Sequence, residues 1–245
     1  MTQDHPQYFF FMRFLFRILA FIQVGKVRVI GIENLQRVKA PVIVCPNHPH
    51  YADGLIFPNL MERQGRYMVD EDVLAFGFGL GALLFIPVGA FPARDGRPNS
   101  KIRTCEAGLK FLSAGFPLLI FPEGHTSFDQ KLQSLKSGAI EITKLASELL
   151  QTSVFIVPAY IRYGKSFPLW IQRTKPPLQY LLVLLGSFYF RGGATVVFGT
   201  PIGASEFPSS QKEACQFLAK RIETLDPGSV QGVEGVYETL QFNKL

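Results

Sequence analysis

Short apolar runs of strand length alternate along this chain with longer segments whose apolar residues recur at helical spacing. The runs predict strands over Val27–Ile32, Pro41–Cys45, Pro117–Phe121, Ser153–Val157 and Ala194–Phe198, and helices over Ser100–Ala114, Lys136–Leu150 and Ser210–Leu225. Pro158 is expected to end the fourth strand, because proline cannot donate to a sheet ladder. This alternation predicts a single α/β domain with a mostly parallel or mixed central sheet flanked by helices.

The apolar run near the N-terminus, Tyr8–Val24, predicts a helix that lies in a membrane interface. Arg13 and Arg17 are four residues apart and therefore share one helical face. Each arginine would cost roughly 2.5–3.5 kcal/mol at the centre of a bilayer, which disfavours a spanning helix. The alternative is a helix packed on its own domain with a polar stripe outward. The interfacial hypothesis divides the chain into a membrane-associating helix, residues 1–26, and a domain formed by residues 27–245.

The chain contains two further apolar stretches. Val73–Phe91 is long enough, but four glycines and Pro87 make it a poor continuous helix. We expect a buried helix, a turn and a strand there. Leu178–Phe190 lies within a basic part of the chain, and basic charge beside apolar surface favours contact with anionic lipid.

Composition and charge narrow the class of function. The chain of 245 residues is 47% hydrophobic and only 18% charged, with net charge +6 and 23 phenylalanines. These values favour a membrane surface as a partner and disfavour nucleic acid. Three widely spaced cysteines exclude a zinc ribbon or a disulfide framework and indicate a reducing compartment. The first residues lack the basic region of a secretory signal, so we expect the cytoplasmic face of a membrane.

Candidate chemistry follows the strand Pro41–Cys45, in the sequence Asn47-His48-Pro49-His50-Tyr51-Ala52-Asp53. In α/β sheets, functional side chains collect beyond the carboxyl ends of strands. A helix beginning near Asp53 allows its carboxylate to fold back onto the His48 imidazole, which forms a general base and its orienting group. The chain has no G-x-S-x-G segment and no cysteine in a comparable setting, so the substrate is expected to supply the reacting hydroxyl.

Two other interpretations of this segment remain open. His48, His50 and Asp53 are residue types that bind metals, but the chain has only four histidines and the spacing differs from H-x-H-x-D. We therefore expect no metal site. In the second interpretation, His48 merely caps a helix or hydrogen-bonds in the core, and for His50 we expect such a structural purpose.

Four ordered blocks resemble the motifs of the glycerolipid acyltransferases of the 1-acylglycerol-3-phosphate acyltransferase type. The first is Asn47-His48-x4-Asp53, and a bare H-x4-D recurs by chance. The others are Gly89–Arg94 (G-x-F-x-x-R), Phe121–Ser127 (F-P-E-G-T-R-S in the family) and Val154–Ala159, an apolar strand ending in proline. Leu135–Ala139 also matches the usual F-K-x-G-A opening of the next helix. Together these blocks are a specific signal.

The resemblance implies transfer of an acyl group from acyl-CoA or acyl-carrier protein to the hydroxyl of a lysoglycerolipid such as 1-acylglycerol 3-phosphate. By this resemblance, His48 deprotonates the hydroxyl, Asp53 orients His48 and Arg94 binds the acceptor phosphate. Glu123 binds an acceptor hydroxyl or braces its loop, and backbone N–H groups near Gly124 are candidates for stabilising the oxyanion. No metal, covalent acyl-enzyme or cofactor besides the acyl thioester co-substrate is expected.

The third motif departs from the family at two positions. Thr126 stands where the family usually has arginine, and His125 stands where it has threonine. Since that arginine helps to hold the acceptor phosphate, the acceptor could instead be glycerol 3-phosphate or a lysolipid without phosphate, and the sequence does not decide whether Lys136 faces phosphate or solvent. A non-catalytic lipid-binding relative is the remaining alternative, which the intact His48, Asp53 and Glu123 argue against.

Overall fold

The computed structural model describes residues 6–61, 64–71, 74–75, 81–83, 85–86, 89–93, 100–127, 129–165, 192–228 and 238–240, and isolated positions at 174, 178, 182 and 185–186. The helices are α1 (Pro6–Gln23), α2 (Glu33–Gln36), α3 (Asp53–Leu60), α4 (Ser100–Ser113), α5 (Gly138–Leu150) and α6 (Gln211–Glu223). The strands are β1 (Val27–Ile30), β2 (Val42–Pro46), β3 (Arg66–Asp70), β4 (Ala90–Ala93), β5 (Leu118–Leu119), β6 (Phe155–Tyr163), β7 (Ala194–Phe198), β8 (Ile202–Gly203) and β9 (Glu238–Leu240).

The strands form one mixed sheet in the order β4-β3-β5-β2-β6-β7-β1-β9, and β8 pairs with β6. Strands β4, β3, β5, β2 and β6 run parallel, so their carboxyl ends meet at one edge of the sheet. Strand β7 is antiparallel to β6 and parallel to β1, and β9 is antiparallel to β1. The predicted α/β domain with a mixed central sheet is therefore confirmed.

Apolar side chains of β2 face both sides of the sheet, which explains why this strand is an unbroken apolar run. Val42 and Val44 pack with α1 and α3 in one core cluster. Ile43 and Cys45 pack with α4, α5 and α6 in the other. Strand β2 therefore lies at the centre of a three-layer structure, and the loop that follows it is held from both faces.

Strand β6 corrects the prediction that Pro158 ends the fourth strand. The strand runs on to Tyr163, and Pro158 pairs with Cys45 of β2 in the parallel ladder. The Pro158 carbonyl faces β7, where it accepts a hydrogen bond from Gly199 N at 2.8 Å. The missing N–H points the same way and lies just beyond Phe198, the last residue of β7. Proline therefore costs the sheet little at this position.

Helix α1 packs on its own domain and also presents an apolar outer face. Met12, Phe16 and Ala20 are buried in the core cluster that contains α3. Arg13 donates to the Asn59 carbonyl at 3.1 Å, which ties α1 to α3. The outer residues form an exposed stripe that we call the α1 stripe: Phe10, Phe11, Phe14, Ile18, Phe21 and Ile22.

The structure decides one part of the two interpretations of the N-terminal helix, and its contact with a membrane interface stays a prediction. The helix packs on the domain, but its outward stripe is apolar rather than polar. Among the residues that the structure describes, no helix is both long and apolar enough to traverse a bilayer. The division of the chain at residue 26 stays a prediction.

The other two apolar stretches fall largely outside the described residues. Of Val73–Phe91, the structure describes the predicted terminal strand as part of β4 and shows helical residues at 74–75, 81–83 and 85. Leu83 and Ile86 are exposed. Most of Leu178–Phe190 lies outside the described part of the chain.

Candidate active site

The candidate site lies where the parallel strands β2 and β5 end. Asn47 and His48 follow β2, and Phe121–Glu123 follow β5 after one residue. The Asn47 side chain extends the ladder to β6, since it donates to the Ile161 carbonyl at 3.0 Å and accepts from Ile161 N at 2.6 Å. The backbone leading into His48 is therefore fixed to the neighbouring strand.

His48 and Asp53 form the predicted pair. The Nδ1 atom of His48 lies 2.8 Å from Oδ2 of Asp53, and the Asp53 side chain is fully buried while that of His48 is 18% exposed. Helix α3 begins at Asp53, so its carboxylate folds back over the turn as expected. A carboxylate can only accept at this distance, so Nδ1 carries the proton, and in the neutral form of the ring the lone pair lies on Nε2.

Asp53 is held by groups from two other parts of the chain. His50 N donates to Oδ2 at 3.0 Å, and the hydroxyl of Tyr163 on β6 donates to Oδ1. A carboxylate held by several donors and set behind an imidazole is the arrangement of an orienting group. Among the described residues, no three His, Cys, Asp or Glu side chains are grouped to hold a metal ion.

The pKa values of the flanking groups are shifted by burial. Burial lowers the pKa of His50 to about 4, against the opposing effect of Asp53. Its Nδ1 accepts from Ala52 N at 2.9 Å, consistent with the structural purpose predicted for it. Burial, with the nearby Asp53 charge, raises the pKa of Tyr163 well above its usual value. Both groups are therefore neutral at pH 7, and Tyr163 keeps the proton that it donates to Asp53.

The loop after β5 packs against His48 and contributes Thr126. The imidazole stacks on the Phe121 ring with centroids 4.1 Å apart. Ser127 N donates to the His48 carbonyl at 3.0 Å. Oγ1 of Thr126 lies 3.2 Å from His48 Nε2, the nitrogen opposite Asp53. Thr126, which departs from the family pattern, therefore contacts His48 directly.

Glu123 braces this loop against the backbone of His48. One carboxylate oxygen accepts from His48 N at 2.6 Å, and the other accepts from Gln133 N at 2.9 Å. The residue is 1% exposed, and burial raises the pKa of its carboxyl group against these hydrogen bonds. This geometry favours the bracing alternative. Direct contact between Glu123 and substrate stays a prediction.

Position 124 requires glycine because of its backbone conformation and because of the neighbouring Lys136 side chain. Its φ is +72°, and a Cβ built there would lie 2.8 Å from both Cε and Nζ of Lys136. Lys136 therefore lies over the turn, a placement that the sequence left undecided. The N–H of Gly124 donates to the Phe121 carbonyl at 3.1 Å, so this particular N–H is already engaged within the turn.

A cavity of about 1070 Å³ opens beside His48 and Thr126. It extends along the carboxyl edge of the sheet from Phe16 of α1 to Lys212 of α6. Among the described residues that line the cavity, two are lysines, Lys136 and Lys212, and none is an arginine. Arg94, the predicted phosphate ligand, lies outside the described residues. Apolar side chains, the His48 imidazole and two lysines therefore line the same cavity.

Tyr163 and Thr126 are the contacts that sequence reasoning missed. Tyr163 lies 110 residues beyond Asp53 in an apolar strand, where nothing local distinguishes it from a core residue. The feature that could have identified it is the pairing of β6 with β2, which the sequence does not show. Thr126 was noticed as a departure from a motif, but no spacing rule placed its hydroxyl against the imidazole.

Comparison with known proteins gives a consistent picture. A family model described as Acyltransferase matches residues 26–162, more than half of the chain. A chloroplastic 1-acyl-sn-glycerol-3-phosphate acyltransferase of Arabidopsis thaliana is 24% identical over 168 residues, covering 64% of this chain and 43% of the relative. A 1-acyl-sn-glycerol-3-phosphate acyltransferase of Chlamydomonas reinhardtii is 28% identical over 121 residues, covering 49% and 36%. The chain thus spans less than half the length of these relatives.

A solved structure shares the fold. The crystal structure of PlsC, the 1-acyl-sn-glycerophosphate acyltransferase of Thermotoga maritima, aligns with a TM-score of 0.63 at 18% identity. The alignment covers 95% of this chain and 85% of that protein.

Proposed function

The chain belongs to the acyltransferase family, and from this premise we propose that it transfers a fatty acyl group from acyl-CoA or acyl-carrier protein to the hydroxyl of a glycerolipid such as 1-acylglycerol 3-phosphate. The observation that carries this proposal is the His48–Asp53 pair at the wall of the cavity. The names of the similar plant and algal proteins support the same acceptor class.

In the proposed reaction, Nε2 of His48 takes the proton of the acceptor hydroxyl, which makes its oxygen a nucleophile toward the acyl carbon. Asp53 keeps the proton on Nδ1 and stabilises the imidazolium that forms. Burial and three hydrogen-bonding groups, including His48 itself, hold that carboxylate in place. The imidazolium then protonates the departing thiolate, so the enzyme returns to its starting state.

The proposal also specifies which residues bind the acceptor phosphate. Thr126 supplies no charge where the family usually has arginine, but the ammonium of Lys136 lies over Gly124 and lines the cavity. We assign the phosphate contact to Lys136, with Arg94 as its predicted partner. A cation in this position favours a phosphate-bearing acceptor over a neutral lysolipid.

An acceptor screen tests the proposal. One labelled acyl-CoA is offered with 1-acylglycerol 3-phosphate, glycerol 3-phosphate or a neutral lysolipid, and the products are identified by mass spectrometry. We expect the first acceptor to be acylated fastest, with His48→Ala inactive. Transfer to none of the three by wild type, or undiminished transfer by His48→Ala, would contradict the proposal. Replacing acyl-CoA with an acyl-carrier protein distinguishes the two donors.

The proposal includes a membrane surface. The α1 stripe is exposed and apolar, and Phe16 on the inner face of the same helix lines the cavity. Exposed apolar side chains on a surface helix favour the boundary between head groups and acyl chains. A helix seated there would bring a lipid acceptor close to the cavity. The predicted cytoplasmic side of that membrane belongs to the same proposal.

Vesicle sedimentation tests the membrane contact. Phe11→Ser with Phe14→Ser should reduce the fraction of protein that sediments with anionic vesicles. Leu149→Ser on α5 removes an equally exposed apolar residue, since Leu149 is 65% and Phe11 61% exposed, and it should have no effect. Equal loss in both variants would show that the α1 stripe has no special part in binding.

A further inference from the structure

Strand β6 continues beyond the end of β2, and side chains bind the backbone edge that β2 leaves uncovered. The ladder between the two strands ends at Ala159. Beyond it, both backbone groups of Ile161 bond to the Asn47 side chain. Two residues further on, Tyr163 N donates to Oε1 of Gln130 at 2.6 Å. Two side-chain amides therefore supply the partners that these buried backbone groups require.

Gln130 belongs to the loop that also holds the backbone of His48. Glu123 accepts from His48 N, and Ser127 N donates to the His48 carbonyl. The φ of Gln130 is +59°, which is uncommon for a residue other than glycine. The Tyr160 hydroxyl donates to the Gln130 carbonyl at 2.6 Å, so the backbone of Gln130 is fixed independently of its side chain. Changing that side chain should therefore leave the course of the loop intact.

The position of the Tyr163 backbone matters because the hydroxyl of the same residue donates to Oδ1 of Asp53. The other oxygen of that carboxylate lies 2.8 Å from Nδ1 of His48. Contacts thus run without a break from the Gln130 amide through Tyr163 and Asp53 to the imidazole. Gln130 is not among the residues that line the cavity, so a substrate bound there does not touch it.

We propose that Gln130 is a positioning residue of the acyl transfer, because its side-chain oxygen holds the β6 backbone where the Tyr163 hydroxyl meets Asp53. The inference rests on the proposed function, since the step that it assists is the proton transfer at His48. Gln130 lies outside the four blocks that resemble the family motifs. Loss of its oxygen should lower kcat and leave the KM values of both substrates unchanged.

Two substitutions at Gln130 separate its oxygen from its shape. Gln130→Met keeps an unbranched side chain of similar length without an acceptor oxygen, and it should lower kcat by about threefold to tenfold. Gln130→Glu keeps an acceptor oxygen and should stay within about twofold of wild type. Gln151→Met is the matched control, because Gln151 also has a positive φ, +49°, but follows α5 and does not line the cavity.

A double-mutant cycle with Tyr163→Phe tests the route of the effect. If Gln130 acts through the tyrosine hydroxyl, Gln130→Met should change kcat by less than about twofold once that hydroxyl is absent. A purely structural contribution would instead give losses that multiply. Multiplied losses, a mainly raised KM, or a wild-type kcat in Gln130→Met would overturn the inference. Thermal unfolding checks that each variant is folded, and Gln130→Ala takes the place of Gln130→Met in the cycle if the latter is not.

A measurement without substrate separates this inference from the proposed function. In protein made with ¹⁵N-labelled histidine, the two imidazole nitrogens of His48 report where the proton lies, and His48→Ala assigns them by their loss. Gln130→Met should shift these resonances in the same direction as Tyr163→Phe, and Gln151→Met should leave them unchanged.

The outcomes of the two experiments are distinct. Resonances that Gln130→Met leaves at their wild-type positions overturn the positioning role of Gln130, while acyl transfer by wild type still supports the proposed function. Conversely, a wild-type protein that acylates none of the tested acceptors refutes the proposed function, and a shift of the His48 resonances in Gln130→Met still supports the contact route from Gln130 to the imidazole.

Discussion

The two nitrogens of the His48 imidazole face two contrasting regions. On the Asp53 side, defined by Asp53, His50 and Tyr163, the side chains are at most 8% exposed and hydrogen bonds from separate elements converge on the carboxylate. On the cavity side, defined by Thr126, Gly124 and Lys136, the residues are half-buried or exposed and come from a single stretch of loop. One region is fixed by long-range packing, and the other is open to substrates.

This contrast predicts that substitutions in the two regions change different kinetic parameters. Groups on the Asp53 side cannot contact substrate, so changing them should lower kcat and leave KM values nearly unchanged. Groups on the cavity side can contact substrate, so changing a charge there should alter the KM of the molecule that carries the opposite charge. A variant that breaks this rule would show that the two regions are coupled.

The largest effect is expected for Asp53→Asn. An amide can present its N–H₂ group to Nδ1 and so favour the wrong tautomer, with the proton on Nε2. We expect kcat for acyl transfer to fall by ~10²–10⁴-fold with KM values within a few-fold of wild type. Steady-state kinetics with both substrates varied provide the measurement. A predominantly altered KM would place the carboxylate in contact with substrate and contradict the separation.

The next effect belongs to the cavity side. Lys136→Met keeps an unbranched chain over Gly124 but removes the charge, and it should raise the KM of a phosphate-bearing acceptor by about tenfold or more. The KM of the acyl donor and kcat should change much less. Lys131→Met removes a charge from an exposed residue that does not line the cavity, and it serves as the control. An unchanged acceptor KM would assign the phosphate to another cation.

A smaller loss in kcat is expected when Tyr163 becomes phenylalanine. Tyr163→Phe removes one hydrogen bond to the Asp53 carboxylate and leaves the others, which should lower kcat by about tenfold and leave both KM values unchanged. Tyr160→Phe is the matched control on the same strand, because its hydroxyl donates to the Gln130 carbonyl rather than to Asp53. If both variants lose the same activity, Tyr163 stabilises the strand and does not position the carboxylate.

The same contrast explains what the sequence could predict. The His48–Asp53 pair was predictable because the two residues are five positions apart and a helix begins at the second of them. The apolar run of β2 identified a central strand. Strand β3 was missed because Arg66 and Asp70 are its first and last residues, which leaves an apolar run of only three residues between them. Tyr163 and Thr126 were missed because their contacts depend on strand order and loop course, which have no local periodicity.

Pro158 shows the same limit from the other direction. A proline does end many strands, but its effect depends on which side of the strand lacks a partner. Here its carbonyl is bonded to Gly199 N at the end of the β7 ladder, so the strand continues to Tyr163. Had the strand ended at Pro158 as predicted, Tyr163 could not have been placed beside Asp53 by β6. The wrong end predicted for β6 and the missed contact between Tyr163 and Asp53 therefore have the same cause, which is the pairing of β6 beyond Pro158.

The last prediction concerns the effect of His50, on the Asp53 side, on the free energy of unfolding. This effect is expected below pH 6.5 and not at neutral pH. The pKa of His50 is about 4 in the folded protein and about 6.5 in the unfolded chain. As pH falls from 6.5 toward 4, the unfolded chain binds a proton that the buried imidazole does not accept, so the folded state loses stability across this window. The slope attributable to this one proton is at most about 1.4 kcal/mol per pH unit.

His50→Asn tests this linkage because its amide oxygen can still accept from Ala52 N while the titrating group is gone. Urea unfolding between pH 7 and 4.5 should give a shallower fall in the free energy of unfolding for the variant than for wild type. The comparison isolates His50, since every other titrating group is common to both proteins. Parallel curves would mean that His50 takes up its proton in the folded state, and the Asp53 side would then be open to solvent rather than sealed.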